Sequence, residues 1–177
     1  MAIHVLKSIQ KIPASLEDVW SFFSTPVNLQ QITPDNMDFK IISGDHDTSL
    51  YNGQLFEYKV SPILNIPLYW KTEITRVEPM HQFTDLQVKG PYKLWEHSHY
   101  FKKINNGVEM MDLVYYEIPF WLMGELANAL FIKNRLRQIF TFRYRKVEEL
   151  FGKWPEEQEV SIEIKKADKE YQLLNGR

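Results

Sequence analysis

The sequence contains no cysteine. That absence removes disulfides, thiolate nucleophiles, zinc fingers and cysteine-ligated iron–sulfur clusters together. It has little net charge either: 21 Lys and Arg stand against 23 Asp and Glu, a formal −2. A chain so nearly neutral has no electrostatic reason to take nucleic acid or an anionic membrane as its main partner. Long apolar runs are missing too. The most apolar stretch, "IPFWLMGELANALFI", falls short of the roughly 18 residues of a spanning helix and carries Glu125 and Asn128. The opening "MAIHVLKSIQ" alternates polar and apolar residues and lacks the apolar core of a signal peptide. Internal repeats and low-complexity segments are absent as well. The expectation is a cytoplasmic protein without stable membrane insertion.

What is present suits one folded domain. The 177 residues are 44% apolar and 14% aromatic, and a chain of about 150 residues already buries roughly 70% of its unfolded surface. "IHVLKSIQKI" reads as a half-buried strand, alternating on Ile3 and Val5, then Lys7 and Ile9. "PASLEDVWSFF" reads as a helix capped by Ser15, with the Asp18 carboxylate able to reach back to the cap. "STPVNLQQI" repeats that device with Thr25 as cap and Pro26 at the first helical position, predicting a second short helix.

From Met37 to Pro119 the period is two. Six strand-length runs are separated by turn material at Asp45–Asn52, Pro62–Asn65, Glu78–Pro79, Gly90–Pro91 and Asn105–Gly107, which predicts an antiparallel meander. After Pro119 the period becomes helical. Leu122, Leu126, Ala129, Leu136, Phe140, Val147 and Leu150 share a stripe ending near Gly152, with Gly124 or the Ile132–Asn134 region as places where the helix can bend. A lone helix cannot bury such a stripe, so it must lie across the sheet and leave a cavity beneath it. The fold class is α+β: about seven strands, curved around a long C-terminal helix. Residues 1–152 form that domain, and 153–177 a charged tail, partly disordered or adding a peripheral strand around Val160–Ile164.

The element order, with "TPVNLQQITP", "FTDLQVKGPYKLWEHSHYF", "GVEMMDLVYYEIP" and "LRQIFTFR", resembles the START / polyketide cyclase (SRPBCC) superfamily over about residues 3–150. Within it the chain is similar to a bacterial branch of small proteins. The resemblance implies the helix-grip fold, a sheet gripping a C-terminal helix. That superfamily includes lipid carriers, aromatase/cyclases, hydrolases, hormone receptors and co-chaperones, so the fold leaves the activity open.

The residues that carry chemistry centre on "LWEHSHYF". In a strand, Trp95, His97, His99 and Phe101 share one face, which the rings mark as the concave one. A two- or four-residue turn at Asn105–Gly107 sets Asp112 and Tyr116 on that same face, with Asp112 opposite His99 or Phe101. His97, His99 and Asp112 then admit several roles. A metal is not expected, because zinc needs a third protein ligand and only Asp112 is on offer. A catalytic pairing is possible, an imidazole oriented by Asp112 acting as general acid or base. The same groups equally serve as a hydrogen-bonded network within the core or as the polar anchors of a ring-lined pocket.

Phe56 and Tyr58 share a face, as do Trp70 and Thr72, and they offer further rings to such a pocket. The loop at Gly90–Pro91 leaves the facing of Phe83, Asp85 and Gln87 open. On the helix, Arg143 shares the apolar stripe with Phe140 and is placed to meet Asp112 or an acidic ligand head group, whereas Lys133 snorkels. The expected ligand-binding set is therefore Phe56, Tyr58, Trp70, Trp95, His97, His99, Asp112, Tyr116, Phe140 and Arg143. The expected function is binding of a small hydrophobic or amphipathic molecule, without cofactor. Alternatives are a cyclase/dehydratase or hydrolase using His97 or His99 with Asp112, and a protein-interaction module with a filled core.

Overall fold

Among the described residues, eight strands make one antiparallel sheet, and a long helix lies across its inner face. The computed structural model describes residues 2–44, 49–61, 67–119 and 125–168, the last from 125 to 129 by backbone alone. The strands are β1 (His4–Ile12), β2 (Lys40–Ser43), β3 (Leu55–Val60), β4 (Leu68–Glu78), β5 (Gln82–Lys89), β6 (Leu94–Ile104), β7 (Gly107–Glu117) and β8 (Ser161–Lys166). Helix α1 (Leu16–Phe23) follows β1, and helix α2 (Glu125–Phe151) follows β7. Across the sheet the order is β2-β3-β4-β5-β6-β7-β1-β8. The meander from β2 to β7 is the one that the turn spacing predicts. β1 then closes against β7, and β8 adds beyond β1, so the run near Val160–Ile164 supplies an eighth strand. Register shifts between Lys71 and Thr72 and between Ile74 and Arg76 bend β4 where the sheet curls.

Several local readings need correction. Ser15 does cap α1: the Asp18 N–H donates to Ser15 Oγ at 3.1 Å, and the hydroxyl donates to Asp18 Oδ2 at 2.6 Å. The aspartate, a methylene shorter than glutamate, takes the hydroxyl proton in place of the cap amide's. The second short helix is a 3-10 helix, Pro26–Ile32, and Thr25 makes no side-chain cap. Its hydroxyl turns back to donate to the Ser21 carbonyl at 2.6 Å. In β1 the face turned to the core is the even-numbered one, Leu6, Ser8, Gln10 and Ile12, not the face of Lys7 and Ile9. Two polar residues on that face hide it from a hydropathy reading, and Gln10 is there for a reason: its amide donates to the Tyr144 carbonyl of α2 at 3.0 Å.

α2 runs without interruption through Ile132–Asn134. Leu136, Phe140, Arg143 and Val147 are buried on its stripe, joined by Ile132 and Tyr144, while Leu150 is exposed. A 3.6-residue turn drifts against a 4-3-4-3 count, which brings in the neighbours and releases the end. The helix stops at Gly152, whose φ of 94° only glycine takes easily and whose N–H donates to the Glu148 carbonyl at 2.9 Å. Leu122, Gly124 and the side chains of Leu126 and Ala129 lie outside the described residues, as do 45–48, 62–66 and 169–177 of the expected turns and tail.

The core divides in two. One cluster gathers Ile12, Val19, Phe56, Phe83, Phe101, Met110 and Val147. The other gathers Leu6, Trp95, Val114, Tyr116, Leu136 and Phe140. Between them, strand by strand, runs a buried polar belt: Ser8 and Gln10 on β1, Asp112 on β7, His97 and His99 on β6, with Arg143 above on α2. Position along the strand decides which residues meet.

Candidate functional site

The belt is assembled by turn length. Ile104 pairs with Gly107 across a two-residue turn, so β6 and β7 keep even parity and His99 stands opposite Asp112. Asn106 takes the left-handed conformation this turn requires, with φ 65°. Across the other edge of β6, Phe83 pairs with His99 and Asp85 with His97. The residues that the sequence left open therefore divide. Phe83 and Asp85 face inward, whereas Gln87 braces the turn, its amide donating to the Tyr92 carbonyl at 2.7 Å and accepting the Tyr92 N–H at 3.2 Å.

One carboxylate oxygen organises the cluster. Asp112 Oδ1 lies 3.0 Å from His97 Nε2, 2.9 Å from His99 Nδ1 and 3.2 Å from Arg143 Nη2. Burial alone would raise this carboxyl, but the Arg143 guanidinium and the hydrogen bonds from both imidazoles outweigh it and hold it well below the usual carboxylate range. Asp112 is therefore ionised and can only accept, which puts a proton on His97 Nε2, while His99 Nδ1 lies between Asp112 Oδ1 and Arg143 Nη2, the latter 3.3 Å away. Burial, then the neighbouring charge of His99, pull the His97 pKa below its ordinary value against the attraction of Asp112 and Asp85. His97 is thus held neutral. Asp85 is the second carboxylate, with Oδ2 at 3.7 Å from His97 Nδ1 and 3.5 Å from His99 Nε2.

Rings hold these groups in place. Phe83 stacks on His99 with centroids 4.2 Å apart, and the two imidazoles lie 3.9 Å apart. The Arg143 guanidinium sits over Phe23 at 5.3 Å and Phe140 at 5.9 Å. Below them, between the sheet, α2 and the segment following β1, is a cavity of about 210 Å³. Of the expected set, Phe56, Tyr58, Trp70, Trp95, His97, His99, Phe140 and Arg143 line it. Asp112 and Tyr116 are not among its lining residues. Asp112 sits behind the imidazoles, and Tyr116 stacks on His4 with centroids 5.4 Å apart. The sequence reading missed Phe22, Leu29, Phe39 and Tyr92, which also line the cavity, because nothing local says that the segments around them fold over the sheet.

The architecture is matched by solved structures. An START superfamily protein from Mycobacterium smegmatis is 15% identical, with a TM-score of 0.61 over 83% of this chain and 99% of that one. Major latex-like protein 151 from Panax ginseng is 16% identical, with a TM-score of 0.60 over 85% and 99%. Protein Ms6760 from M. smegmatis gives 15% and 0.60 over 82% and 89%. This is the helix-grip fold. No family model of sequences matches the chain, and no curated protein does so. At such identities the helix-grip likeness establishes the architecture and leaves the chemistry to the residues. Among the described residues, no helix of this helix-grip protein is long and apolar enough to cross a membrane.

Proposed function

We propose that this protein binds a small hydrophobic or amphipathic molecule in the cavity between sheet and α2. One observation carries the reading: a ring-lined, mostly apolar cavity whose ionisable groups, Asp85, His97, His99 and Arg143, are gathered on one wall. Ligand sites are built this way, with apolar walls for affinity and a few convergent polar groups for orientation. The cavity supports this reading over a filled core serving only as an interaction module. At about 210 Å³ it lies below the usual 300–1,000 Å³ of drug-sized sites, which favours a compact polyketide-like aromatic or isoprenoid fragment over a long lipid chain. The ligand's apolar body would lie against Trp70 and Trp95, and its polar end against the histidines.

The test is native mass spectrometry of protein purified gently from its own host, followed by organic extraction. A reproducible small apolar adduct is the expected result. An adduct-free protein that also fails to change its Trp70 and Trp95 fluorescence with any apolar probe would refute the reading. A second reading, acid–base catalysis of cyclisation, dehydration or hydrolysis, draws on the neutral His97 fixed by Asp112 and facing the cavity. It requires turnover that disappears in His97→Ala or His99→Ala while binding persists.

A further inference from the structure

Asp112 leaves each imidazole with one nitrogen unaccounted for. Its Oδ1 lies 3.0 Å from His97 Nε2 and 2.9 Å from His99 Nδ1, and Arg143 Nη2 is 3.3 Å from that same His99 nitrogen, so His97 Nδ1 and His99 Nε2 are the nitrogens turned away from it. Both of these nitrogens point to the same atom, Asp85 Oδ2, at 3.7 and 3.5 Å. Three side-chain atoms able to ligate a cation thus face one another at separations longer than an ordinary N–H···O hydrogen bond. The three side chains are largely withdrawn from water, with 9%, 6% and 18% exposure for His97, His99 and Asp85. Among the described residues, this is the group whose potential ligand atoms lie within 4.8 Å of one another.

Two of the separations are close to those an ion would impose. Donors at about 2.0–2.2 Å from a common centre stand roughly 3.0–3.6 Å apart, close to the distances from Asp85 to the two imidazoles. Metal-binding histidines also characteristically give their other N–H to a carboxylate, and here one carboxylate serves both rings. We infer that Asp85 Oδ2, His97 Nδ1 and His99 Nε2 bind a divalent first-row transition ion, with Asp112 as the outer carboxylate that fixes both imidazoles. Two imidazoles and a carboxylate, without thiolate, suit Zn²⁺, Fe²⁺, Co²⁺ or Ni²⁺. All three ligands line the cavity, so the remaining coordination positions open towards it. Arg143, 3.2 Å from Asp112, balances the outer carboxylate, and Asp85 is left to balance the ion. Besides Asp112, the sequence alone shows no further protein ligand for these histidines. The pairing of Asp85 with His97 across β5 and β6 supplies one.

The competing occupant is a proton, shared between Asp85 and an imidazole. Titration of chelator-stripped protein with Co²⁺ separates the two. The expected result is uptake of one equivalent with visible ligand-field absorption, displaced by one equivalent of Zn²⁺. Asp85→Asn, which preserves shape, should weaken the affinity by at least about 100-fold, and His99→Ala should abolish it. Asp112→Asn should keep the stoichiometry but weaken binding by about 10- to 100-fold, as loss of an outer carboxylate does. Circular dichroism identifies any variant that fails to fold, in which case Asp85→Asn decides. Wild-type protein that takes up no Co²⁺ at millimolar concentration, or Asp85→Asn that binds as tightly as wild type, overturns the inference. The donor geometry alone carries it: binding of an apolar probe by the stripped protein is read separately, so failure of the metal site and failure of the ligand cavity give different results.

Discussion

Arg143 is the buried guanidinium that lets a carboxylate persist between two apolar clusters. It reaches Asp112 Oδ1 at 3.2 Å while its own exposure is 8%. Arg143→Leu is predicted to cost about 3 kcal/mol in urea unfolding, because the charge left behind is uncompensated. Adding Asp112→Leu should recover much of that loss, and a single variant as stable as wild type would remove Arg143 from this role. Tyr144 makes the opposite case. Among the described residues its buried hydroxyl has no hydrogen-bond partner, so Tyr144→Phe should raise stability by about 1 kcal/mol in the same assay. Much of the cavity lining was legible at this scale. Eight of the ten expected residues line the cavity, since period-two alternation reports facing directly. Asp85 was not legible, because its facing passes through the turn at Gly90–Lys93, where the count that sets parity depends on which residues the turn consumes.

Elements were easier to read than their junctions. The switch of period from two to 3.6 located the meander and α2, and the Ser15 signal located α1. What escaped was the inward face of β1, where Ser8 and Gln10 replace apolar residues to join the polar belt and to hold α2. The hairpin between β6 and β7 shows how tightly such a junction is built. A β-carbon added at Gly107 would run into the Ile12 carbonyl oxygen of β1 and the Trp154 ring. Gly107→Ala should therefore destabilise by about 1–3 kcal/mol, the usual cost of overpacking. Its effect should appear as a lowered denaturation midpoint with an unchanged slope, whereas no shift would mean that β1 yields freely at that point.

For the molecule as a whole, the belt makes stability depend on acid. Below its ordinary value near 6.5, an unfolded His97 takes up a proton that the folded one refuses, so the unfolded state binds more protons and stability falls. His4, whose pKa is also lowered by burial and then by Lys133, adds to this decline. Asp112 contributes a second fall below about pH 4, where its unfolded carboxyl protonates and its folded one does not. In chelator-containing buffer the urea midpoint should drop between about pH 7 and 5, and His97→Gln should reduce that drop. A flat wild-type profile over the same range would mean that His97 is not held neutral.

The position of β1 between β7 and β8 bears on how the chain reaches this state. His4 pairs with Tyr116, more than a hundred residues later, and with Lys166 later still. At synthesis speeds of about 5–20 residues per second, Leu6 and Ile12 wait roughly 5–20 s on the ribosome before β7 exists to receive them. The meander from β2 to β7 forms from neighbours and can be complete first. β1 then docks as a late arrival along a ready-made strand edge, a long-range closure of the kind that slows folding. Until it does, β7 presents that open edge to any other extended chain nearby.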